Sequence, residues 1–203
     1  MPAVSDIRES RALVVIEADG QPVARIRKAH YAKCPLRVGD EIDAEAYIGR
    51  VAAVQFADAY EAALTSLDAC ARSSRELAAS LRRKGYVEPV IEAVLERLTE
   101  SGLIDDARYA RRMAELQASK PVGIYAFKRK LRGKGISEED AEEALAAFDD
   151  AQQQAAALEA ARRLLRKYEA LPEREARAKL SQALARRGFS WDAIGSALDQ
   201  IWE

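Results

Sequence analysis

The sequence predicts a mainly α fold: three tandem three-helix repeats forming a curved array, preceded by a small N-terminal module that contains a β-hairpin. Three observations predict it. Ala, Leu, Glu and Arg dominate the 203 residues, and aromatics make up only 6%. The stretch Arg72–Ala110 reads as helix, turn, helix, turn and the start of a third helix. Its first half then recurs twice, with Gly85, Gly135 and Gly188 marking the register at a period of roughly fifty residues, as in stacked supersecondary units.

Each repeat glycine follows an apolar pair at helical spacing: Leu77 and Leu81, Phe127 and Leu131, Leu180 and Leu184. Matched apolar stripes come after it: Ile91, Val94, Leu95 and Leu98; Ala141, Ala144, Leu145 and Phe148; Ile194, Ala197, Leu198 and Ile201. Ser73 and Glu76 form a capping box, the hydroxyl and the carboxylate each taking one orphan backbone N–H. Arg82, Arg83 and Lys84 fill the last turn of that helix, where carbonyl ends favour cations, and Gly85 supplies the left-handed stop. Pro89 suits the first turn of the next helix, and Gly102 ends it.

Taken in order, residues 1–11 carry no pattern and read as a frayed arm. Ala12–Ala18, Asp19-Gly20 and Pro22–Lys28 give a hairpin signal, with Gln21-Pro22 blurring the register. Leu36–Asp40 reads as a further short strand or turn. From Asp43 the pattern turns helical through Tyr47, Ile48, Val51 and Val54, and Phe56–Ala71 continues it. So small a module cannot hold a core alone and is expected to pack on the first repeat.

The division is residues 1–56 for the module, with repeats at 57–102, 103–148 and 149–203. Asp105 and Asp106 suit a helix N-terminus, Pro121 breaks the following helix, and Ser137 with Asp140 caps another. The third repeat opens with a long helix over Asp149–Ala170 and closes with Trp191–Trp202, both tryptophans being read as core.

Composition excludes several classes. No apolar run approaches the length of a membrane span, and Met1–Arg11 lacks the apolar segment of a secretory signal, so a cytoplasmic chain is expected. Cys34 and Cys70 are not spaced as metal ligands and are expected reduced. His30 has no serine, cysteine or acid at a telling spacing and is read as a surface or loop residue. The Asp105/Asp106 pair is explained by capping better than by metal binding. Gly133-Lys134-Gly135 lacks the spacing of a phosphate loop. No catalytic constellation, cofactor or metal is implied.

Charge is segregated instead. Net charge is −1, so any affinity for nucleic acid has to come from local patches. The second helix of every repeat is basic and the third acidic, as Glu88, Glu92 and Glu96 or Glu138, Glu139 and Glu142 show. Helix macrodipoles account for much of this, but not for Arg75, Lys128 or Lys130, which lie further into their helices. The stretch from Lys120 to Lys134 contains six cations and no acid. The candidate contact residues for nucleic acid or a filament are Arg75, Arg82, Lys128, Lys130, Arg132 and Lys134. Acidic third helices disfavour a helix-turn-helix that places its last helix in the major groove.

SRELAASLRRKGY, VIEAVLERL, GLIDDARYARRM and the basic LRGKGIS resemble the RecX family of bacterial recombination regulators, over about Ala57–Glu203. The third repeat follows in pattern only, with Arg187-Gly188-Phe189 where the motif has Lys-Gly-Tyr. The resemblance implies a curved array that docks along the groove of the RecA filament on single-stranded DNA and modulates, usually inhibits, its ATP hydrolysis, coprotease activity and strand exchange; a monomer is expected. It supplies no catalytic residues. Two other classes stay open on the residues alone: a helical scaffold for a protein partner, and a DNA-binding transcription factor.

Overall fold

The structure is a computed structural model that describes residues 1–118, 120–146 and 148–202. Ser119, Ala147 and Glu203, which fall in the second and third expected repeats, lie outside the described residues. The chain divides into two compact units, Met1–Asp105 and Asp106–Glu203.

The first unit opens with an antiparallel sheet of order β1-β2-β3: β1 (Val4–Glu9), β2 (Leu13–Ala18) and β3 (Gln21–Arg27). The hairpin is as expected. Asp19 and Gly20 both take positive φ, 48° and 76°, the conformation that a two-residue turn needs to match strand twist. The register slips between Ile16 and Glu17, which faces Pro22, a residue with no N–H to give the ladder. The expected frayed arm is instead strand β1. It carries no apolar pattern because it is a polar edge strand, held by backbone pairing and burying fully only Val4. Residues 36–40 form a turn that Asp40 closes by accepting the Arg37 amide at 2.7 Å.

A single helical turn, α1 (Lys28–Tyr31), leads to α2 (Ala44–Ala69), whose Asp43 cap accepts the Ala46 amide at 3.0 Å. Helix α2 runs unbroken through residues 56 and 57, because no glycine or proline interrupts its Tyr47, Val51, Ala59, Ala63 stripe there. It packs on α3 (Ser74–Arg83) and α4 (Glu88–Glu100). The Ser73–Glu76 capping box is present, with both bonds at 3.2 Å. Val14, Ile16 and Ile26 of the sheet share one core with Tyr47, Val51, Leu77, Leu81, Ile91 and Leu98, so the module does pack on the first repeat.

The second unit contains two three-helix groups. Helices α5 (Asp106–Ala118), α6 (Ile124–Gly133) and α7 (Glu138–Leu145) enclose Ala110, Ala114, Phe127, Leu131 and Phe148. The rings of Phe127 and Phe148 lie 5.4 Å apart. Helices α8 (Asp150–Leu165), α9 (Glu173–Arg186) and α10 (Trp191–Trp202) enclose Ala157, Ala161, Leu164, Leu180, Leu184, Ile194 and Leu198. Helix α8 ends at Leu165, short of Ala170. Trp202 packs partly against this core, but Trp191 is 70% exposed, contrary to its reading as core.

The repeat glycines explain their own register. Gly85, Gly135 and Gly188 all take φ between 83° and 86°. At Gly85 a Cβ would meet Leu13 Cδ2 at 2.5 Å and the Arg27 amide nitrogen at 3.1 Å, so strand β3 rests on this turn. A Cβ on Gly188 would lie 2.2 Å from the Ala126 nitrogen, so the start of α6 rests on that one. Among the described residues, no helix is long and apolar enough to cross a membrane.

Candidate nucleic-acid interface

Helix α6 carries the densest cationic surface of the expected set, and its sequence dictates that face. Phe127 and Leu131 turn inward at i, i+4 spacing, which leaves Tyr125, Arg129, Lys130 and Arg132 exposed and Lys128 half-buried. Gly123 forms the N-cap and Tyr125 donates its amide to the Gly188 carbonyl at 2.9 Å, while the Ile124 amide reaches Gln153 Oε1 at 3.1 Å. The first turn of the helix is therefore anchored on two sides. Tyr125, Lys128, Arg129 and Arg132 line an open depression of about 240 Å³.

The six candidate residues do not form one set of equivalent free charges. Arg75 and Arg82 belong to the first unit, the other four to the second. Arg82 holds Glu88 in a bidentate pair, with Nε to Oε2 at 2.9 Å, and this hydrogen bond is what raises its pKa. Lys128 pairs with Glu138 and, at 3.2 Å, with Glu142. Its pKa is raised chiefly by those two bonds, while Glu138, bonded by Lys128 and Arg132, is held below the usual carboxylate range. Arg132 reaches Glu138 at 3.2 Å, and the Lys134 ammonium lies 5.4 Å from the Tyr109 ring centre. Lys130 makes no ion pair with any described residue, and neither does Arg129.

The segregated charge of the sequence thus has a local use: each acidic third helix meets the basic second helix of its own repeat. Arg82–Glu88 and Arg132–Glu138 occupy equivalent places either side of their turn, and Arg177–Asp199 links α9 to α10. Exposed pairs of this kind contribute little to stability, but they lower the charge that a ligand would meet. Sequence reasoning did not single out Tyr125 or Trp191 for this surface. Its available signals were an aromatic amid a run of cations, and a tryptophan at the register position of Glu88 and Glu138.

A second polar cluster lies in the first unit. His30, expected at the surface or in a loop, is 4% exposed. Its Nε2 lies 3.3 Å from Asp58 Oδ2, and its Nδ1 is 3.5 Å from Gln55 Nε2. The Tyr86 hydroxyl donates to Asp58 Oδ2 at 2.8 Å and accepts from Arg27 Nη1 at 2.8 Å. Burial is the main cause that pushes Tyr86 up to about 12, with Asp58 adding to it. Gln55 donates to the Gly85 carbonyl and accepts the Val87 amide, both at 2.9 Å. Arg27, Asp58 and Tyr86 therefore tie sheet, α2 and the repeat turn together, a structural role.

Three family models match, described as the first, second and third three-helix domains of RecX, over residues 59–98, 105–145 and 150–198. A protein called regulatory protein RecX from Prosthecochloris aestuarii is 37% identical over 132 residues, which cover 64% of this chain and 83% of that relative. One of the same name from Bacillus subtilis is 30% identical over 174 residues, 83% of this chain and 64% of the relative's length. A crystal structure of regulatory protein RecX superposes with a TM-score of 0.69 at 28% identity, covering 98% of this chain and all of the other. The crystal structure of RecX from Lactobacillus salivarius gives 0.66 at 28% identity, over 73% and 97% of the two chains.

Proposed function

The chain belongs to the RecX family of regulatory proteins, and from that premise we propose that it binds the RecA recombinase filament on single-stranded DNA and restrains its ATPase, coprotease and strand-exchange activities. It acts by binding rather than by catalysis, as a monomer in the cytoplasm. The observation that carries the nucleic-acid part is the exposed face of α6, where Arg129 and Lys130 carry charges that no described carboxylate neutralises. Lys128, Arg132 and Lys134 belong to the same unit as this face, and Arg75 and Arg82 are separate candidates in the first unit. Cations free of internal partners are the ones that release counterions when they meet phosphate.

The test is the ATPase rate of preformed RecA filaments on single-stranded DNA as this protein is titrated in. The expected result is a fall in rate at protein well below RecA stoichiometry, from blocked filament growth. An unchanged rate, with no co-sedimentation, would leave a helical protein-binding scaffold.

A further inference from the structure

The first two repeats flank their turn glycine with an arginine–glutamate pair, Arg82–Glu88 and Arg132–Glu138. The third has Ala185 and Trp191 at those two places. Trp191 opens α10, and that helix buries Ala193, Ile194, Ala197 and Leu198 instead. Its indole stands 70% exposed where the other repeats present a carboxylate. Packing of the repeat gives no account of it.

Tyr125 is the second such ring, 55% exposed in the first turn of α6, with a hydroxyl that bonds to no described residue. Both aromatics flank one contact. Tyr125 donates its amide to the Gly188 carbonyl at 2.9 Å, and Trp191 follows Gly188 by three residues. From the length of a peptide step, their Cα atoms lie within about 18 Å of each other. The backbone at this contact is close-packed, with Gly123 and Gly188 leaving no room for a Cβ. The rings are therefore mounted on a rigid support, which lowers the ordering cost of any ligand they hold.

We propose that this junction of the second and third three-helix groups binds single-stranded DNA, with bases stacked on Tyr125 and Trp191 and phosphates met by Arg129 and Lys130. The inference deepens the filament reading and rests on its nucleic-acid half. Flat exposed rings accept the face of any base, and flanking cations track the backbone without reading sequence. A duplex offers phosphates but keeps its base faces stacked. An acidic protein segment would satisfy the cations and leave both rings unused. Only an unpaired strand engages both features.

The full chain is titrated against two labelled probes, an oligothymidylate of about twenty nucleotides and an abasic strand with the same number of phosphates. Fluorescence anisotropy reads affinity, and tryptophan emission reads stacking. The expected result is quenched emission and about a hundredfold tighter binding of the thymidylate than of the abasic strand, about tenfold from each ring. Tyr125→Ala and Trp191→Ala each lower thymidylate affinity about tenfold, leave the abasic strand unaffected and leave the salt slope unchanged. Trp191→Phe and Tyr125→Phe retain most of the binding, and circular dichroism checks that helix content is intact. Arg129→Ala and Lys130→Ala weaken both probes and lower the slope by about 0.7 each.

Equal affinity for the two probes, or aromatic variants that bind thymidylate as the parent does, would overturn the inference. Cation-dependent binding to an acidic protein, with no binding of free strand, would overturn it too. A chain that slows the filament ATPase yet ignores the bases keeps the filament reading and loses this one. A chain that binds the strand through both rings but leaves the ATPase untouched does the reverse.

Discussion

Replacing Gly123 with alanine tests how tightly the second and third three-helix groups are joined. Gly123 has φ −71° and ψ 148°, an ordinary conformation for alanine, so the backbone itself carries no penalty. The added Cβ would nevertheless fall 2.1 Å from both the Gly188 carbonyl carbon and the Phe189 nitrogen. Those are main-chain atoms, and no rotamer change relieves the overlap. The start of α6 has to retreat, which stretches the Gly123 amide bond to Arg187 (3.3 Å) and the Tyr125 bond to Gly188 (2.9 Å). Overpacking costs about 2 kcal/mol and each lost backbone bond about 1, for a total of about 4 kcal/mol.

Gly188→Ala meets the Ala126 nitrogen at 2.2 Å and adds about 1–2 kcal/mol for alanine at φ 83°. Gly195, inside α10 with nothing near its absent Cβ, is the control, and its alanine variant should gain about 1 kcal/mol. Urea unfolding followed by tryptophan fluorescence suits the comparison, since Trp191 and Trp202 both lie in the Asp106–Glu203 unit. A Gly123→Ala midpoint equivalent to less than roughly 0.5 kcal/mol of change would refute the reasoning, because an overlap with main chain on that scale has to register.

Tyr86→Phe removes the hydroxyl between Arg27 and Asp58, and because both partners are substantially exposed the expected loss is only about 1 kcal/mol, read by far-ultraviolet circular dichroism in urea. His30 bears on pH: burial chiefly, then Arg27 and Lys33, outweigh Asp58 and hold its pKa below the ordinary 6.5. The unfolded chain therefore binds this proton more readily, so stability should fall as pH drops through 6.5 toward the depressed value. His30→Gln should flatten that decline in urea titrations across the window; an unaltered slope would remove the histidine from the account. Glu138→Gln should strengthen binding to single-stranded DNA by removing the carboxylate that Lys128 and Arg132 share, and should steepen the salt dependence; weaker binding would show that the ion pairs position those cations.

Most of the helical framework was legible because helix signals are local. Capping residues, apolar pairs such as Leu77 and Leu81, and the left-handed glycines all act within a few residues, and all are found in the structure. Strand β1 was not legible, since its stabilising partner is the β2 backbone and its own side chains are largely polar. His30 escaped for a similar reason: Asp58 and Gln55, which make its burial tolerable, lie a full helix away in sequence. The candidate site was half legible. Its cations were visible as a run, but their pairing across the turn with Glu138 and Glu142 depends on distances that composition does not record. Trp191 was misread because a tryptophan in an apolar stripe usually means core, whereas register with Glu88 and Glu138 marks a surface place.

The two repeat glycines seated against neighbours suggest how such a chain grows. Gly85 accepts a β-strand and Gly188 accepts the start of a helix, although each belongs to the same turn of the same supersecondary unit. The turn offers its visitor bare main chain rather than a fitted side-chain surface, so the visitor's own secondary structure matters little. A gene duplication that adds one more three-helix unit would therefore arrive with its attachment point already made. The side chains around that point remain free to diverge, and in the third repeat they have exchanged an ion pair for an exposed indole.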